Sequence, residues 1–245
     1  MLKKIGRPLN KILNYFGYHV AATQTSIPKI RGGNWAERLN IQTIIDIGSN
    51  EGQFINEIES ILPGRKIFAF EPIAACFKKM VANTRSSNVT AFNIGLSDLG
   101  GTTEINISGN LVSSSILKME ELHQSAYPES QYIKKEIIEL KRLDTVFENI
   151  VLIDNLLIKV DVQGYEEKVI KGGEKTFSKA AALIIETAFE PFYEGQWLFD
   201  DLYAHLAASG FKFMGFADQV ASGKTGIPIY ADAIFIKKNL IKQVL

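Results

Sequence analysis

From about residue 43 onward, short β-branched runs alternate with stretches whose apolar residues recur every three or four positions, the rhythm of βαβ units and a parallel sheet. Residues 43–47 open it as a strand. Phe54, Ile55, Ile58, Ile61 and Leu62 follow at helical spacing until Pro63-Gly64 stops the helix. Residues 66–70 read as a second strand ending at Glu71-Pro72, 73–83 as a helix and 88–93 as a third strand. Residues 96–101 read as turns and 102–107 alternate like an edge strand. The Ser- and Gly-rich stretch 108–115 and the helix-like segment after it break the rhythm, as an inserted substrate lid would. Residues 136–143 look extended, and 156–161 form a buried strand leading through Gly164 into a helix up to Ile170. A strand at 182–186, a helix at 197–208 ending at Gly210, and strands at 211–216 and 229–236 close the sheet. The connection between these last two leaves no room for a crossover helix, so they are expected to pair antiparallel.

The first residues differ from the rest. Lys3, Lys4, Arg7 and Lys11 are interleaved with Leu2, Ile5, Leu9, Ile12, Leu13 and Phe16, without an acidic residue, as in a basic amphipathic helix. Residues 1–33 are therefore expected as a helical appendage, packed on the domain or frayed, with contact to a membrane surface or a substrate as the alternative for residues 1–20. Residues 34–245 are expected as one domain with an insertion around 102–142.

Composition narrows the class. Hydrophobic residues at 46% and charged residues at 22% match a globular protein. Lys plus Arg and Asp plus Glu are both 27, so no whole-chain field favours a polyanion and nucleic acid is not expected as a substrate. Cys76, the single cysteine, sits in an apolar helical pattern without a CxxC or Cys/His partner, which argues against a zinc site or disulfide framework and for a reduced, cytoplasmic chain. No apolar run approaches the roughly 20 residues of a membrane span, and no secretion signal is visible. Oligomeric state leaves no signature.

The first strand feeds a Gly-spaced turn, Asp46-Ile47-Gly48-Ser49-Asn50-Glu51-Gly52, and then a helix. Such a turn offers free N–H groups and lets a ligand approach the main chain. The G-x-G-x-x-G spacing that accommodates a pyrophosphate is absent and Asp46 precedes the glycines, which favours a cationic ligand without pyrophosphate. Glu71, at the end of the second strand, stands where a carboxylate can accept both hydroxyls of a ribose. S-adenosylmethionine meets both demands. Without a ligand, any tight β-to-α turn would use the same glycines.

Several blocks together resemble the FkbM family of methyltransferases: D-I-G-S-N-E-G-Q-F (46–54), A-F-E-P (69–72), N-I-G-L-S-D (93–98), L-D-T-V (143–146) and K-V-D-V-Q-G-Y-E (159–166). The resemblance covers about residues 40 to 190. It implies a Rossmann-like class I methyltransferase sheet, mostly parallel with one antiparallel strand near the C-terminus and helices on both faces. It also implies S-adenosylmethionine as cofactor, O-methylation of a sugar or other small-molecule hydroxyl, and a cofactor site at Asp46, Gly48, Ser49, Asn50, Gly52, Phe54, Glu71, Pro72, Gly95, Leu96 and Ser97. Gln163 stands where the family often has Glu.

Open α/β sheets bind ligands beyond the carboxyl ends of their strands, where Asp161 and Glu186 lie. Methyl transfer to an alcohol needs an aligned oxygen and a base, and Asp161 is the first candidate, with Glu186 assisting. The two could alternatively hold a divalent cation, although no third ligand is evident. Without chemistry, Asp161 would cap the next helix and Glu186 would pair with a lysine such as Lys159. His205 reads as a packing residue. His123 lies in the insertion with Ser113, Ser114 and Ser115 and reads as solvated loop, with acceptor contact as the alternative; Asp144 reads as a helix N-cap. Gly223-Lys224-Thr225 lacks the upstream glycine of a phosphate loop. Rival functions are a nicotinamide-dependent oxidoreductase and a non-catalytic cofactor- or partner-binding module.

Overall fold

The computed structural model describes residues 35–84, 88–109, 111–120, 130–153, 155–222 and 225–245. The basic N-terminal segment, His123 and Gly223-Lys224 lie outside them. The elements are α1 (Trp35–Arg38), β1 (Thr43–Ile47), α2 (Gln53–Ile61), β2 (Lys66–Phe70), α3 (Ala74–Asn83), β3 (Val89–Phe92), β4 (Gly95–Leu96), β5 (Gly101–Ser108) and β6 (Tyr132–Lys141). They continue with α4 (Leu143–Val146), β7 (Leu156–Val160), α5 (Glu166–Gly172), α6 (Glu174–Ser178), β8 (Ala180–Ala188), α7 (Phe199–Ala208), β9 (Phe211–Ala221), β10 (Pro228–Lys237) and α8 (Ile241–Val244).

Seven strands form the main sheet in the order β3-β2-β1-β7-β8-β10-β9. Neighbours from β3 to β8 run parallel, and β10 runs antiparallel to both β8 and β9, as the sequence pattern predicts. β1 and β7 are buried at every position, which is why they read as unbroken apolar runs rather than alternating ones. On one face Ile45, Ile47, Ile158, Val160, Leu183 and Ile185 pack with Val169 and Ile170 of α5, Phe177 of α6 and Leu202 and Leu206 of α7. Each such side chain contributes roughly 1.5–3 kcal/mol by leaving water. The opposite face carries Asp46 and Lys159, and Phe54 of α2 lies over Lys159, its ring centroid 5.5 Å from the ammonium. Helices therefore cover both faces, as expected.

The segment after β3 carries the expected edge strand as β5, but in a sheet of its own. β4, β5 and β6 make a separate three-stranded sheet in the order β4-β6-β5. Its apolar side, Ile105, Ile107, Ile138 and Leu140, packs on Ile73 and Cys76 at the start of α3. This second core explains the alternation that the sequence shows there. Among the described residues, no helix is long and apolar enough to cross a membrane.

Candidate functional site

The turn after β1 is tied to the end of β2. Gly48 N–H and Ser49 N–H both donate to the Phe70 carbonyl at 3.0 Å, and Asn50 N–H donates to Glu71 Oε2 at 2.9 Å. The free N–H groups expected of this turn are thus engaged within the chain at those positions, because the strands end at one level and β2 supplies the acceptors. Ser49 Oγ donates to the Asp46 carbonyl at 2.9 Å. Gly48, at φ +81°, lies so close to β7 that a Cβ would fall 1.8 Å from the Asp161 carbonyl oxygen. Gly52, at φ +86°, begins α2, and a Cβ there would sit 3.2 Å from Thr84 Oγ1 and 3.3 Å from Met80 of α3.

Glu71 is 4% exposed. Oε2 accepts from Asn50 and Oε1 accepts from Ile73 N–H at 2.8 Å. Burial pushes its pKa up to about 7 against those two hydrogen bonds, with Asp46 and Asp161 adding to the rise. Asn93 Nδ2 donates to the carbonyls of Glu71 (2.8 Å) and Pro72 (2.9 Å), fixing the strand end.

Lys159 stands among carboxylates with 4% exposure. Its ammonium is 3.1 Å from Asp161 Oδ2 and 3.9 Å from Asp46 Oδ1. Burial alone would lower its pKa; Asp161, Asp46 and Asp232 outweigh that and hold it above the ordinary lysine value. Asp46, fully buried, thus faces the chain's own ammonium. Asp161 does not cap α5, whose first residue is preceded by Tyr165 without a side-chain cap. The turn is closed instead by Glu166, whose Oε1 accepts from Val162 N–H and Gly164 N–H at 3.2 Å each. Burial raises the Glu166 pKa to about 7.

Gln163 joins the two carboxylates named as catalytic candidates. Its Nε2 donates to Asp161 Oδ1 at 3.0 Å and to Glu186 Oε2 at 2.6 Å, and its Oε1 accepts from Tyr193 O–H at 2.9 Å. Asp232 of β10 lies opposite Glu186 in the sheet register. The insertion reaches this site through Ser115, whose Oγ donates to the Gln163 carbonyl at 2.7 Å.

Gly95 lies beside Pro72, whose Cβ would be 3.6 Å from a Cβ added there. Gly95 and Leu96 are buried, and a Cβ on Gly95 would meet Leu140 of β6 at 2.7 Å. Ser97 is buried with its hydroxyl 3.1 Å from that of Tyr165, and its carbonyl lies where a Cβ on Gly172 would be, 1.9 Å away. His205 packs on Trp197 with ring centroids 5.1 Å apart. Asp144 does not cap its own helix, α4, which follows Arg142 without a side-chain cap. It caps α6, accepting from Lys175 N–H at 3.0 Å and from Thr176 N–H and Oγ1 at 2.8 Å each.

Residues 46–213, more than half of the chain, match the model of the methyltransferase FkbM domain. The chain belongs to the FkbM methyltransferase family. It is 29% identical over 163 residues to 2-O-methyltransferase NoeI of Sinorhizobium fredii (62% of this chain, 66% of the relative). It is also 29% identical over 174 residues to methyltransferase sdnD of Sordaria araneosa (60% and 66%). The match thus spans just under two thirds of each relative's length. Among solved structures, precorrin-6y C5,15-methyltransferase of Geobacter metallireducens is similar at 12% identity, with a TM-score of 0.45 over 89% of this chain and 93% of that one.

Within this FkbM domain the sequence offers Lys159 only as a partner for Glu186 and Gln163 only as a departure from the family pattern, and it does not single out Tyr193 or Asp232. A lysine inside Leu156–Val160 and an aspartate inside Pro228–Lys237, both otherwise apolar strand centres, were the signals available. Tyr193 had none, because its partner lies 30 residues away.

Proposed function

We propose that this FkbM domain transfers a methyl group from S-adenosylmethionine to a hydroxyl on a sugar, a glycan precursor or a secondary metabolite. The observation that carries the reading is the charge balance at the strand ends. Asp46, Asp161 and Asp232 act on Lys159, Glu71 feels the charges of Asp46 and Asp161, and Glu186 lies opposite Asp232 in the sheet register, while the Gly48, Ser49 and Asn50 N–H groups are spent on Phe70 and Glu71. A site so built suits a cationic ligand and offers no cradle for the pyrophosphate of a nicotinamide dinucleotide. The relatives' names, which specify methyl transfer and in one case 2-O-transfer, point the same way.

The residues around Gly48–Gly52, with Phe54, Glu71 and Pro72, would hold the cofactor, which when bound supplies a methyl group on a sulfonium. Glu71, once ionised, accepts hydrogen bonds from ribose hydroxyls through the lone pairs that Asn50 and Ile73 leave. Asp161 takes the proton of the acceptor hydroxyl, and Lys159 steadies its negative charge beforehand. Glu186 shares the load through the Gln163 amide, whose N–H groups lie where a bridging cation would otherwise sit between the two carboxylates.

Calorimetric titration with S-adenosylmethionine and, separately, with NAD tests the cofactor; binding of NAD alone would overturn it. A labelled-methyl screen over sugar and phenol libraries tests the reaction and identifies the acceptor. Cofactor binding without transfer to any hydroxyl would favour a binding module.

A further inference from the structure

Resting on that methyl-transfer reading, we propose that Gln163, locked in place by Tyr193 and Ser115, is a positioning residue that holds Asp161 and Glu186 jointly in the ionised state a proton-accepting base requires.

An amide side chain is polar end to end, with two N–H donors on one side and an acceptor on the other. Tyr193 decides which way it points. Burial, reinforced by Glu186, pushes the Tyr193 phenol well above its ordinary pKa, so the hydroxyl keeps its proton. It donates that proton to Gln163 Oε1 at 2.9 Å rather than to the more distant Ser113 carbonyl at 3.3 Å. The NH2 end is thereby turned to Asp161 Oδ1 and Glu186 Oε2. Inverted, the amide would set its oxygen against both carboxylates.

Two neighbouring carboxylates normally share a proton, because their charges repel; hydrogen bonds donated to the ionised forms oppose that. Gln163 gives one N–H to each. Among the described residues, the charged groups facing the pair include Lys159 of β7, which contacts Asp161 Oδ2, Asp46 of β1 behind it, Asp232 of β10 opposite Glu186, Glu166 of α5 and Glu71 at the end of β2. Lys159 acts on Asp161 Oδ2, and the amide adds its positive field at Asp161 Oδ1 and at Glu186 Oε2.

The backbone shows that this placement is imposed. Gln163 sits at φ +56°, a left-handed conformation that is unfavourable for a non-glycine residue. The Ser115 hydroxyl holds its carbonyl. Gly164 follows at φ +92°, packed so closely under the Tyr193 ring that a Cβ would come within 2.8 Å of it. Strain held by surrounding contacts at a cleft points to a functional constraint.

The test uses Gln163→Leu and Tyr193→Phe in the full chain, titrated with S-adenosylmethionine between pH 6 and 8 in two buffers of different ionisation enthalpy, which counts the protons released on binding. The wild type is expected to release only the Glu71 proton. Gln163→Leu should release about half a proton more at pH 6, and lose about tenfold more affinity than the wild type between pH 8 and 6. Tyr193→Phe should shift both readouts in the same direction by less. Wild-type proton counts in both variants would overturn the proposal, and so would complete loss of binding by both folded variants, since the pair would then build the pocket rather than tune it. A wild-type chain that binds no S-adenosylmethionine would instead overturn the cofactor reading itself.

Discussion

In the proposed methyl transfer single side chains carry the chemistry, and two of them have dual duties that change what a mutation reports. Glu71 holds Asn50 and Ile73 while facing the cofactor turn, so Glu71→Ala would loosen the turn as well as the ligand. Glu71→Gln keeps an acceptor for one of those two backbone N–H groups while removing the charge, and is expected to weaken S-adenosylmethionine binding by about 2–3 kcal/mol through loss of charge-assisted bonds. With a pKa of about 7 in the free protein, the neutral carboxyl must release its proton to accept the ribose hydroxyls. Affinity in the wild type should therefore rise with pH through 7, and calorimetry on Glu71→Gln should show a flatter profile. Asp161→Asn is expected to lower turnover roughly 100-fold, because asparagine keeps the shape without the basicity. Its melting temperature should fall too, since buried Lys159 loses its nearest carboxylate at 3.1 Å, a cost of about 1–3 kcal/mol. Near-normal turnover in a folded variant would remove the base role.

Helices and strands here are joined by contacts too close for any side chain to intrude. Gly172, at the end of α5, leaves room for the Ser97 carbonyl, which a Cβ would approach to 1.9 Å. Gly172→Ala should cost at least about 2–3 kcal/mol in urea unfolding, the scale of overpacking. A similar argument makes Gly48→Val a folding mutation before it is a cofactor mutation, since the obstacle is the Asp161 backbone. Asp144 shows an element capped from a distance. Replacing it with Ala should destabilise the fold by about 1–2 kcal/mol, and Asp144→Asn by less, because asparagine still accepts from Lys175 and Thr176. An unchanged unfolding midpoint in Asp144→Ala would discard the cap.

At the scale of the whole molecule, Glu71 and Glu166 make stability depend on pH. Both have folded pKa values of about 7, raised above the ordinary carboxylate by burial. A group raised on folding binds its proton more tightly in the native state, so its contribution is complete below the unfolded value and is lost as pH climbs through 7. The ligand-free protein is therefore expected to resist urea better at pH 5.5 than at pH 8, by a few kcal/mol in all. The Glu71→Gln, Glu166→Gln double variant should flatten that slope; an unaltered slope would show that other groups set it. S-adenosylmethionine should partly restore stability at the alkaline end, where Glu71 is already ionised.

What the chain wrote locally was legible. β1 and β2 fall where their apolar runs predict, because a strand buried on both faces needs no distant partner to be recognised. The antiparallel pairing of β9 with β10 followed from a connection too short for a crossover. Asp161 and Glu71 stand just past the ends of β7 and β2, where the sequence puts them, whereas β8 runs on to Ala188 by pairing with β10 and leaves Glu186 inside the strand. Distance in sequence hid the rest. Lys159 read only as a partner for Glu186 and Asp232 was not singled out, until the sheet register set them beside Asp46 and Glu186. Asp144 read as a cap of its own helix because only folding brings α6 to it. Gln163 read only as a departure from the family's Glu, and only the tertiary structure places Tyr193 on one end of its amide and two carboxylates on the other, because Tyr193 and Glu186 lie far from it along the chain.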